Sequence, residues 1–167
     1  MFPPVNREQV TGMLKKFFAT QPEFALLYLR LTLAVVMFPH GAQKVLGWFG
    51  GHGFSATMQM FTEKMNIPPV FAFLAILAEF VGPILLMAGF LTRVAAFGIG
   101  VTLTVAALMV HVSNGFFMNW SGQQKGEGFE YHILAVVMAL AVMFKGAGRW
   151  AVDAEIAKFL TRRARGH

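Results

Sequence analysis

The stretch VFAFLAILAEFVGPILLMAGFLTRVAAFGIGVTLTVAALMVHV, Val70–Val112, decides the fold. Glu79 and Arg93 are its only charged residues. A membrane span needs about 20 mostly apolar residues. The run therefore holds two spans, 70–91 and 94–112, parted only by Thr92 and Arg93. Two spans this close predict a tight helical hairpin. Working outward, residues 24–45 form a further span on the N-terminal side and residues 129–144 another on the C-terminal side. The span at 24–45 contains Arg30 and Pro39 and lacks a small-residue cleavage site, so it reads as retained rather than as a signal peptide. The predicted fold is all-α, an antiparallel four-helix transmembrane bundle over residues 24–147. Amphipathic interfacial helices flank it at both termini, over 1–23 and 148–167. Val10, Leu14, Phe17 and Phe18 share a stripe beside Lys15 and Lys16 in the first, and Ile156, Phe159 and Leu160 cluster in the second.

Composition points the same way. Of 167 residues, 56% are hydrophobic and 13% charged, where a soluble domain carries roughly a quarter charged residues. The mean hydropathy is +0.59. The net charge of +6 reads as a topology signal and an attraction to anionic lipid, not as a nucleic-acid footprint. Zero cysteines exclude disulfides, thiolate metal sites and thiol-relay redox chemistry. Arg7, Lys15, Lys16, Arg93, Lys145, Arg149, Lys158, Arg162, Arg163 and Arg165 fall on one side of a four-span bundle. Lys64 and Lys125, with Lys44 at a span end, fall on the other. The excess predicts that both termini are cytoplasmic.

Folded as four antiparallel helices, His40, Lys44, Glu79, His111, Asn114, Glu130 and His132 gather in the outer half of the bundle. Polar groups inside a span are expensive and face the bundle interior or a functional path. Glu79 is a candidate proton carrier, or else half of a structural ion pair with Arg30. Lys44 alone reads as a snorkelling lysine and His40 as a hydrogen-bonded core histidine; their i, i+4 spacing makes them a cluster. Pro83 cannot donate to the carbonyl of Glu79, and Pro39 leaves that of Val35 free. Glu130 and His132 lie two residues apart and diverge by about 200° on a helix, so one at most faces the core. No i, i+4 histidine pair or Glu-x-x-His motif supports a metal site. Gly100, Thr104, Ala107 and His111 share one face of their helix, as do Ala75, Glu79 and Gly82, spacing that suits close helix packing. The aromatic residues Trp48, Phe49, Phe54, Phe116, Phe117 and Trp120 read as an interfacial belt.

The stretches LRLTLAVVMFPHGAQKVLGWFGG (29–51), LAEFVGPILLMAGFLTR (77–93), HVSNGFFMNW (111–120), GEGFEYH (126–132) and GAGRWAVD (146–153) resemble the DoxX family of bacterial membrane proteins. The resemblance implies four transmembrane helices in a bacterial inner membrane and a link to quinone-dependent oxidation. With no flavin motif or cluster ligand in the sequence, electrons would come from a partner redox subunit or a bound substrate. The expectation is a quinone-interacting oxidoreductase-type membrane protein or subunit. Glu79, His111 and Glu130 would act in proton exchange. Arg30, His40, Lys44, Asn114 and His132 would contact the ligand. Quinone is the expected cofactor, with membrane lipids and a homo-oligomeric copy as further partners. A non-catalytic assembly or stability factor, or a small carrier of a lipophilic solute, is the alternative.

Overall fold

In the computed structural model, residues 22–165 are described; the predicted N-terminal interfacial helix lies outside them. Six α-helices follow in order: α1 Pro22–Leu46, α2 Gly53–Gln59, α3 Pro69–Ala88, α4 Thr92–Ala106, α5 Glu130–Lys145 and α6 Val152–Arg165. A π turn, Ala107–His111, and a 3-10 turn, Val112–Asn114, prolong α4. There is no strand among the described residues. After the glycine turns that follow α1, the loop folds α2 and a π turn at Met60–Lys64, elements not expected from the sequence.

Three helices are long and apolar enough to cross a membrane, Phe24–Leu46, Pro69–Ala88 and Thr92–Asn114, and the chain is a multi-pass membrane protein. Their outer faces carry Val35, Phe71, Val94 and Leu108 at 62–69% exposure, a surface suited to hydrocarbon and not to water. The 16 residues of α5 reach only about 24 Å at 1.5 Å per residue.

α1 packs on α3 and α5, and α4 packs on the same two helices, which closes a ring. Neighbours run antiparallel. Arg30 in α1 meets Leu86 at the end of α3, Arg93 opening α4 meets Met143 at the end of α5, and Tyr131 opening α5 meets Met37 late in α1. Leu33, Met37, Leu86, Ile99, Leu103 and Val142 fill the centre. Close approach is set by small residues. A Cβ on Gly41 would overlap the carbonyl of Glu79, the one Pro83 leaves without a helical donor. The packing predicted from small residues is present where Gly82 faces Ile99 and Gly100 faces Ala139.

The ring has two polar ends. At the arginine end, the α3–α4 turn runs through Gly89–Leu91, not Thr92–Arg93. Gly89 takes φ 67°. Its N–H donates to the Leu86 carbonyl and that of Phe90 to the Leu85 carbonyl, at 3.1 and 3.0 Å, which is a Schellman close. Thr92 is then the first residue of α4, and its helix end is capped from far along the chain. Asp153 accepts from the N–H groups of Leu91 and Thr92, both at 2.9 Å. Burial alone would raise the Asp153 carboxyl, but the Thr92 and Leu91 hydrogen bonds and the Arg30 charge hold it below the usual carboxylate range.

Arg30 corrects an expectation. It does not reach Glu79. Its Nη1 donates to the carbonyls of Leu86 and Met87, and its Nη2 to those of Arg149 and Trp150, at 2.8–3.3 Å. The physical reason is the helix end: the last carbonyls of α3 lack intrahelical donors, and a planar guanidinium bridges several of them. Arg93 does the same for α5, donating to Met143 and Phe144.

Candidate functional site

At the opposite, histidine end, four helices each contribute. α1 carries His40 and Lys44 on successive turns, past Pro39, which the helix accommodates. α3 carries Glu79 one turn before Pro83. α4 delivers His111 through its π turn, and α5 opens with Glu130, Tyr131 and His132.

Glu79 is 5% exposed, and Lys44 Nζ lies 2.7 Å from its Oε2. At this distance the lysine ammonium is the partner of the Oε2 carboxylate oxygen. A carboxylate in this setting requires a countercharge, because desolvation in a low-dielectric interior costs several kcal/mol per ion, to order of magnitude. Lys44 supplies it while keeping part of its side chain accessible.

Rings continue the cluster away from the pair. His40, exposed at the bundle surface, has its ring 6.4 Å from that of Tyr131. Tyr131 lies 5.4 Å from His132, and His132 lies 4.2 Å from His111. The Tyr131 hydroxyl meets only the Met37 sulfur, at 3.4 Å, a weak acceptor. His132 is buried and its Nδ1 has no hydrogen-bond partner. His111 Nδ1 sits 2.9 Å from the Glu127 carbonyl. A carbonyl only accepts, so Nδ1 donates the proton in this contact.

The structure thus brings together His40, Lys44, Glu79, His111 and His132. Two expected members stand beside the cluster and serve the loop instead. Glu130 Oε1 accepts from the N–H of Met118 at 2.9 Å and from Trp120 Nε1 at 3.3 Å. Asn114 Nδ2 donates to the carbonyls of Val110 and Glu127. The divergence of Glu130 from His132 is the one their two-residue separation demands, with the histidine inside. Arg30 is at the other end of the bundle. Tyr131 and Asp153 were not singled out from the sequence. Tyr131 was legible as the residue between two candidates, whereas nothing local marks Asp153 as a cap for a helix some 60 residues away. No three metal-ligating side chains converge among the described residues.

Comparison with known proteins gives a family and little chemistry. The DoxX family model matches residues 25–112, more than half of the chain and the part that carries His40, Lys44, Glu79 and His111. A protein of Haemophilus influenzae, itself described only as uncharacterized, is 29% identical over 136 residues, which cover 80% of this chain and 84% of the relative. No solved structure matches.

Proposed function

The chain belongs to the DoxX family, and from that premise we propose that it is the quinone-interacting membrane subunit of an oxidoreductase. The observation that carries this reading is the buried Glu79–Lys44 pair continued by His40, Tyr131, His132 and His111 at one end of the bundle. A quinone head needs donors for its carbonyl oxygens and a group nearby that exchanges protons. The residues fit it: His132 Nδ1 is buried without a hydrogen-bond partner, the Tyr131 hydroxyl has only a thioether, and the Glu79–Lys44 pair lies nearby.

The quinone, when bound, supplies the redox chemistry. His132, Tyr131 and His40 orient the head by donating hydrogen bonds. Glu79, held in place by its ion pair with Lys44, is the carboxylate that would take or give up the accompanying proton. His111 relays toward the loop, with Glu130 and Asn114 fixing that loop around it. Electrons come from a partner redox subunit. In the same reading α5 is a fourth, short span, because it closes the ring and exposes Leu134, Val137 and Phe144 outward. The arginine end then faces the cytoplasm of a bacterial inner membrane, and α6 lies on the surface with Ile156, Phe159 and Leu160 toward lipid.

Titration of the purified protein in lipid nanodiscs with a quinone analogue tests the site. Saturable binding is expected in the native protein, weakened by at least about tenfold, or roughly 1.4 kcal/mol, in a Glu79→Gln, His111→Ala double variant. Native affinity in that variant refutes the reading.

A further inference from the structure

An apolar groove of about 250 Å³ runs along the outer face of the α4–α5 interface. Gly100, Val101 and Thr104 line one side, and Val136, Ala139 and Leu140 the other. The only hydroxyl there, that of Thr104, donates back to the Gly100 carbonyl at 2.8 Å, so the lining offers hydrocarbon nothing polar. None of the residues at the histidine cluster lines it.

The helical stripes that line the groove nevertheless lead toward the cluster. On α4, Gly100 and Thr104 lead through Ala107 to His111 at spacings of four, three and four. On α5, Ala139 and Val136 lead to His132 at three and four. Both lining stripes therefore end on the histidine pair with ring centroids 4.2 Å apart, and Val136 is one turn, about 5.4 Å, below His132. The π turn at Ala107–His111 sits in that path. Such turns insert one residue and re-aim the side chains beyond them. The second observation pointing to a ligand is His132, buried at 7% exposure with Nδ1 unpartnered.

Size selects the occupant. The groove is smaller than the roughly 300–1,000 Å³ of a pocket that encloses a whole ligand, and a helix is about 10–12 Å across, too wide to enter it. A single hydrocarbon chain fits. We propose that the groove seats the first isoprenoid units of a quinone tail whose ring lies at His111 and His132. The assignment rests on the quinone reading above and adds to it a path: the substrate is a long-tailed quinone that reaches the site sideways from the bilayer, between α4 and α5.

The experiment compares an isoprenoid-tailed quinone with its tail-less ring analogue in nanodiscs, on the native protein and on Thr104→Phe and Leu140→Phe, which add bulk to the groove wall. The expected result is affinity for the tailed quinone lowered about tenfold with affinity for the ring analogue unchanged. A tailed quinone bound as tightly as in the native protein overturns the groove while the ring site stands. An equal loss for both ligands also overturns it, since the substitutions then act on the ring site or the fold. Failure of the native protein to bind either ligand overturns both readings. Should the phenylalanine variants not fold, a quinone carrying a photoreactive group on its first isoprenoid unit decides on the native chain. Labelling within residues 96–105 and 136–143 supports the groove, and labelling confined elsewhere overturns it.

Discussion

The arginine end and the histidine end use charge in opposite ways. At the first, Arg30 and Arg93 donate to the terminal carbonyls of α3 and α5, and Asp153 accepts from the first N–H groups of α4. Each charge sits where the helix dipole favours it. At the second, Glu79 and Lys44 form an ion pair, His132 Nδ1 has no partner and the Tyr131 hydroxyl has only the weakly accepting Met37 sulfur. One end joins α1, α3, α4, α5 and α6 into a body. The other holds exchangeable groups in a state that a ligand can complete. The same bundle can do both because its length separates them.

Substitutions should split along that line. The largest loss of stability is expected for Arg30→Leu, which strips donors from four carbonyls. At about 1.5–3 kcal/mol for a hydrogen bond to a charged group, and with the Leu86 carbonyl still held by the Gly89 N–H, the cost is at least about 3 kcal/mol, read as a fall in the thermal midpoint in detergent. Arg30→Lys should recover only part, since an ammonium lacks the planar fork. A midpoint unchanged in Arg30→Leu would end the distinction between the two ends.

Next is Gly41→Val, where the new side chain meets the backbone of Glu79 and Phe80. Overpacking of this kind costs about 1–3 kcal/mol, and it should also move Lys44 off Glu79, so that quinone-analogue binding falls with stability.

Asp153→Asn should cost about 1 kcal/mol, the scale of a lost helix cap. Because the folded carboxyl lies below its ordinary value of 3.8, its contribution is complete above that value. It disappears as pH drops through the lower folded one. Unfolding midpoints of variant and native protein should therefore converge only in acid, and a constant gap down to that range would show that charge is not what Asp153 contributes.

The smallest stability effect is expected for Glu79→Gln, within roughly 1 kcal/mol. The amide keeps the volume, and Lys44, already part-exposed, can extend its ammonium toward solvent. Its effect belongs in ligand affinity. A cost of about 3–5 kcal/mol, the signature of a broken buried pair, would instead make the histidine end structural.

Particular residues show how far the sequence reached. The apolar runs at 24–45, 70–91 and 94–112 marked α1, α3 and α4 within a few residues, because hydropathy over about 20 residues is a local property. That Glu130 and His132 diverge followed from helical periodicity, whereas only the packing decided that the histidine is the inward one. The hairpin was displaced by three residues because Gly89, not the polar Thr92–Arg93 pair, closes α3.

What the amino-acid order determined is the long apolar helices, their antiparallel order and the faces their polar residues occupy, since all of these follow from composition and periodicity along one stretch at a time. Tertiary structure alone decided the partners. Arg30 had two helix ends and one acid to choose among, and the unsatisfied carbonyls of α3 lay closer than Glu79. Lys44 reaches Glu79 because Gly41 lets α1 approach α3, and His111 reaches His132 past the π turn of α4. Such choices depend on how far one helix slides along another, a quantity that no single segment encodes.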